Sequence, residues 1–134
     1  MRLQSGINLA DQNLSVMASR YSDNVESDPL FPEIVSLQGN VSYQFNKIPH
    51  VPLGFTYQKI IQESSHVPPG SVSIDTNTDA YSARIGFTMG NFSVNVSPSY
   101  SLTNDKTPAD ADTTNMIYTT TAAYVLPSLS IAPA

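Results

Sequence analysis

The side chains with most capacity for chemistry are acidic and closely spaced. Asp75, Asn77 and Asp79 alternate with threonines in the run Asp-Thr-Asn-Thr-Asp. That rhythm opens calcium-binding loops, because a hard cation collects oxygens from alternate positions of a turn. Such a loop also needs glycine at its sixth position and a bidentate glutamate at its twelfth. Those places hold Ala80 and Gly86. Asp110 and Asp112, with Asn115 nearby, make a second oxygen group that is equally incomplete. These five residues, Asp75, Asn77, Asp79, Asp110 and Asp112, are therefore weak metal candidates, and the simpler reading is a pair of solvated acidic loops. No metal ion or cofactor is expected.

Other chemistry is scarcer still. The chain has no cysteine, which removes disulfides, thiolate metal sites and a cysteine nucleophile together. His50 and His66 fall in a turn and a loop, without the carboxylate or second histidine that a triad or metal site would place beside them. Neither a Gly-x-Ser-x-Gly elbow nor a phosphate-cradling glycine loop occurs. These patterns point away from an enzyme. Six basic residues scattered singly in a chain of net charge −5 also offer no footprint for nucleic acid.

The elements that carry these residues are legible from period-two alternation, the signature of a strand with two unlike faces. At 35–45 the odd positions are apolar, Gly39 apart, and the even positions polar. The run 53–61 keeps Leu53, Phe55, Tyr57 and Ile61 on one phase, with Lys59 interrupting it. The run 81–89 opposes Tyr81, Ala83, Ile85, Phe87 and Met89 to Ser82, Arg84, Gly86 and Thr88. Gly90-Asn91 then reads as a two-residue hairpin turn, and 92–102 continues with Phe92, Val94, Val96, Pro98, Tyr100 and Leu102 on the apolar phase. Weaker copies occur at 3–9, 14–18, 116–125 and 129–131. The expectation is an all-β chain: an antiparallel up-and-down meander of about eight long amphipathic strands in one unit over 1–134, built of hairpin repeats of roughly 39 residues.

Connections alternate in length, short at 10–13, 46–52, 90–91 and 126–128, long at 22–34, 63–80 and 103–115. All the long ones therefore lie at one end of the sheet. Ten of the eleven acidic residues, every one but Asp11, fall in or beside them. On the apolar phase Phe45, Phe55, Phe87, Phe92 and Tyr124 lie near the short turns, and Tyr81, Tyr100 and Tyr118 lie nearer the long loops, with aliphatic residues between. Aromatic girdles flanking an aliphatic band are what lipid–water interfaces select. The polar phase, with Gln38, Asn40, Arg84 and Asn95, would then face a water-filled interior, and Arg84 is its one mid-strand cation. An antiparallel sandwich is the competing arrangement, since alternation describes any half-buried sheet; it would suit a soluble extracellular adhesin or carbohydrate-binding module using the long acidic loops.

The alternating runs at 35–45, 53–61, 81–89 and 92–102, joined by polar loops such as Asp23-Asn24-Val25-Glu26-Ser27-Asp28-Pro29, resemble the porin-like outer-membrane β-barrels of Gram-negative bacteria. The resemblance is architectural and covers almost the whole chain. It implies an outer-membrane location and a passive channel or scaffold role, with membrane lipid as partner and small polar solutes passing if a pore forms. Many such barrels close on a final aromatic residue, whereas here the sequence reads Ile131-Ala132-Pro133-Ala134. The expectation is a barrel or barrel segment: foremost an internal segment whose partners are the remaining strands of a larger barrel, with a complete small eight-stranded barrel as the alternative.

Overall fold

A computed structural model describes residues 2–23, 33–108 and 110–125. They form seven strands: β1 (Arg2–Leu9), β2 (Gln12–Ser22), β3 (Glu33–Phe45), β4 (Leu53–His66), β5 (Asp75–Met89), β6 (Phe92–Asp105) and β7 (Thr113–Tyr124). All lie in one sheet in sequence order, each antiparallel to the next. The expected all-β meander is therefore present. The eighth strand expected at 129–131 lies outside the described residues.

The sheet is open: β1 and β7 are its edges and do not pair with each other. Being the first and seventh strands of a meander, they run in the same direction, so direct closure of these seven would create a parallel junction in an antiparallel wall. Nor is there a sandwich among the described residues, because all seven strands share one sheet and no hydrophobic side chain is buried.

The strands run further into the acidic segments than their composition suggests. Residues 63–66, 75–80, 103–105 and 113–115 belong to strands, and the loops between them shrink to 67–74 and 106–112. Polar and acidic residues are poor strand formers by propensity, but here the ladder is propagated from the apolar centre outward by register. Of the ten acids counted with the loops, Glu33, Glu63, Asp75, Asp79 and Asp105 stand on strand ends. They remain at the long-loop end of the sheet.

The short connections are tight. Gly90 takes positive φ (58°) and starts the two-residue turn between β5 and β6, as its sequence requires. Ala10 occupies the equivalent place between β1 and β2 at φ 44°, where a Cβ meets its own carbonyl. Ala10→Gly is expected to stabilise the sheet by about 1 kcal/mol, seen as a higher urea midpoint at unchanged slope. A lower midpoint would show that Ala10 is not strained.

The connection 46–52 is less irregular than its prolines suggest. The carbonyls of His50 and Pro52 accept hydrogen bonds from Thr88 N–H (2.9 Å) and Gly86 N–H (2.9 Å), which prolongs the β4–β5 ladder past Leu53. Further along, the β5–β6 register passes from Ser82↔Ser99 to Ile85↔Val96 with Ala83 and Arg84 left out. They lie opposite Ser97 and Pro98, and proline has no N–H to give.

Candidate functional site

Register converts the one-dimensional alternation into two faces. Partners directly across an antiparallel ladder share a face, so rows can be followed strand by strand. One row reads Leu9, Gln12, Phe45, Leu53, Ile85, Val96, Thr120; the row two residues nearer the long loops begins Ile7, Leu14, Tyr43, Phe55; the next reads Ser5, Val16, Val41, Tyr57, Tyr81, Tyr100, Met116. The apolar phases of all seven strands therefore fall on the same side. The opposite face carries Ser, Thr, Asn and Gln, with Met17, Tyr21, Ile34, Ile60 and Ile117 as its larger apolar members.

On β5 and β6 the apolar face is no better covered than the polar one, with Val94, Val96 and Pro98 half-buried like their polar neighbours. On β6 the polar-face residues Ser93, Asn95, Ser97, Ser99, Ser101, Thr103 and Asp105 are all half-buried, while Phe92, Tyr100 and Leu102 on the other face are exposed. On β5, Thr78, Ala80 and Ser82 are half-buried, yet Tyr81 is 42% and Ile85 49% exposed. An ordinary antiparallel sheet hides its apolar face and wets the other.

The aromatic positions resolve into levels. Phe45, Phe92 and Tyr124 end their strands at the short turns, and Phe55 and Phe87 lie one same-face step inward. Tyr81 and Tyr100 are row neighbours, ring centroids 6.4 Å apart, and Tyr57 extends the row at 5.0 Å from Tyr81. Tyr57 was not among the girdle residues expected from the sequence. Tyr118 departs from the expected level: it pairs with Pro98, one row nearer the short turns, and Met116 lies across from Tyr100. On β6 the apolar phase runs over eleven residues from Phe92 to Leu102, ten rises totalling about 33 Å along the strand and roughly 25 Å in height at a 40° tilt, the height of a barrel's apolar band.

Lys59, the apparent flaw in the apolar phase, is explained by its cross-strand partner. Its Nζ lies 3.2 Å from Asp79 Oδ1, and the Tyr57 hydroxyl donates to the same oxygen at 2.5 Å. The pair sits one row above the tyrosines, level with Leu102; no charge stands on this face between it and the short turns, and Leu37 and Ile61 lie one row beyond it. The other charges of the face, Arg20, Glu33, Glu63 and Asp75, lie in rows still nearer the long loops.

The metal candidates do not converge. Asp75, Asn77 and Asp79 stand on β5 as successive members of one strand face, not in a loop, and same-face neighbours in a strand lie about 6.6 Å apart, too far for one cation's shell. Asp79 is committed to Lys59 and Tyr57. The Asp112 carboxylate is taken by Asp105 N–H (2.9 Å) and Asn104 Nδ2 (3.2 Å), while Asp110 sits in the loop at positive φ (46°) and Asn115 on β7. Among the described residues no three His, Cys, Asp or Glu side chains could hold an ion together.

Gln38, Asn40, Arg84 and Asn95 all fall on the polar face. Arg84 Nη2 donates to Asn95 Oδ1 at 3.3 Å.

Beyond the apolar band, hydroxyls and amides fasten the strand ends. Glu33 accepts from Ser65 and Ser22 (both 2.7 Å), and those hydrogen bonds, Ser65 foremost, hold its carboxyl below the usual range. The Thr107 side chain and backbone do the same for Asp105. Folded pKa values lowered this way contribute stability that is complete above the unfolded pKa and lost as pH falls through the folded ones. Amide protection at His66, the strand partner of Glu33, and at Thr107, whose N–H donates to Asp105, is therefore expected to decline below the ordinary carboxylate range, before the sheet centre changes. Glu33→Gln and Asp105→Asn should show the loss already at neutral pH; unchanged protection at low pH would refute the assignment.

Fold and faces together define an open antiparallel meander with one apolar side and one polar side of few charges. No family model matches the chain, nor does any curated protein or solved structure.

Proposed function

We propose that the chain is a wall segment of an outer-membrane β-barrel of the Gram-negative type, serving as a passive channel or as a structural scaffold. The observation that carries the reading is the continuous apolar face of seven strands, exposed at Tyr81, Ile85 and Tyr124 with no second layer over it among the described residues. In water such a face would associate; in hydrocarbon it is solvated, provided that the backbone is satisfied within the sheet.

Three further features support it. Charge is excluded from the apolar face below the Lys59–Asp79 row. The short-turn end is also staggered, since β5 continues four residues beyond the Ile85 partner of Leu53 at the start of β4, as tilted barrel strands require. Finally, the same-direction edges leave room for an odd number of further strands, which an even-numbered antiparallel barrel would supply. These remaining strands and membrane lipid are the partners. The mechanism is passive: a lumen of hydroxyls and amides, with Arg84 its mid-strand cation, gives small polar solutes water-like contacts.

Circular dichroism with size-exclusion chromatography tests this. Cooperative β-structure is expected in detergent micelles or vesicles, with aggregation in buffer alone. A monodisperse folded monomer in plain buffer would overturn the membrane assignment and favour a soluble extracellular module.

A further inference from the structure

We propose that the hollow around Arg84 on the polar face is a contact site for small oxyanions. Arg84 is isolated in charge. The other described strand charges on this face are Arg2, at the start of β1, and Asp105, in the row of Thr76. Thr76 is eight residues from Arg84 along β5, about 26 Å at strand rise and some three Debye lengths in physiological salt. Among the described residues no carboxylate lies within ion-pair distance of the guanidinium. Its recorded partner is the neutral Asn95 oxygen, which leaves most of its five donors for another acceptor.

The surroundings leave room for one. Gly54 lies directly across from Arg84 and Gly86 is the next same-face residue of β5, so neither neighbour puts a side chain beside the guanidinium stem. Ser42, Thr56, Ser82 and Ser97 share the hollow and bring rotatable hydroxyl donors without negative charge. A planar guanidinium beside hydroxyls suits phosphate or carboxylate oxygens, which it can grip through two parallel hydrogen bonds.

The site itself requires only the folded sheet; its role in selecting solutes rests on the barrel reading above. The probe is inorganic phosphate, titrated into the detergent-folded chain and followed through the Arg84 Nε–H and the Gly54 and Gly86 amide signals. Saturable shifts at all three are expected, abolished by Arg84→Gln and retained more weakly by Arg84→Lys, which keeps the charge and loses the fork. Absence of saturable shifts, or their persistence in Arg84→Gln, would overturn the proposal. Reconstitution in planar bilayers separates the two levels: reversal potentials in a potassium chloride gradient should move toward cation preference in Arg84→Glu, whereas a chain that binds phosphate but carries no current would count against the channel alone.

Discussion

Val96→Arg is expected to be among the most damaging single substitutions in this sheet, and Ser97→Arg, its immediate neighbour, among the most harmless. Val96 lies near the middle of the apolar run from Phe92 to Leu102. On a lipid-facing position at mid-depth an arginine costs about 2–4 kcal/mol, or roughly 30- to 700-fold in the folding equilibrium. Ser97 points to the polar face, in the row of Thr119, where a long cation stays in water. Folding into vesicles followed by urea titration measures both. Equal costs, or a greater cost at Ser97, would mean that the faces are assigned the wrong way round.

Gly86→Ala should be the second costly change, although it adds one methyl group on the polar face. A Cβ there would lie 2.7 Å from Pro52 Cγ, 3.2 Å from Pro52 Cδ and 3.1 Å from Asn95 Oδ1. The Asn95 side chain can turn away. The Pro52 ring cannot, because its carbonyl is held by Gly86 N–H and its φ is fixed by the ring. Overpacking of this kind costs about 1–3 kcal/mol. In a Pro52→Ala background the ring carbons are gone, so most of the penalty should vanish, and a double-mutant cycle reads the difference as coupling. No coupling would show that the approach of 50–52 to β5 is not rigid.

These two predictions draw on different amounts of sequence information. The Val96–Ser97 contrast was legible, because alternation assigns a face to each residue of 92–102 without knowledge of its partners, and Gly90-Asn91 fixes the hairpin. The Gly86–Pro52 contact was not, because it depends on how a proline-containing connection folds back onto a strand more than thirty residues later. The same reason hid the Lys59–Asp79–Tyr57 group: its members come together only once the β4–β5 register is set, and Lys59 alone looks like a break in the pattern. Asp75, Asn77 and Asp79 misled in the opposite sense. Alternating acids and amides obey the period of a metal loop's ligands and of a strand equally well, and only the ladder beside them decides.

Strand length was the other loss. Segments such as 63–66 and 75–80 carry no apolar alternation of their own, so composition marks them as loop. They are strand because each backbone amide already has a partner in register. Arg84 was legible as the one mid-strand cation of the polar phase, but its setting between Gly54 and Gly86 emerges only when the strands are laid side by side. In the sequence Arg84 stood as one candidate among four.

The central claim is that the apolar face meets lipid, and fluorescence quenching by brominated acyl chains tests it most directly. The chain has no tryptophan, so Val96→Trp and Ser97→Trp each introduce a single reporter on opposite faces of one strand. After folding into vesicles, Val96→Trp should be strongly quenched by lipids brominated near mid-chain and Ser97→Trp hardly at all. Equal quenching at both positions, or protection of Val96→Trp from lipid in a folded sheet, would contradict the account.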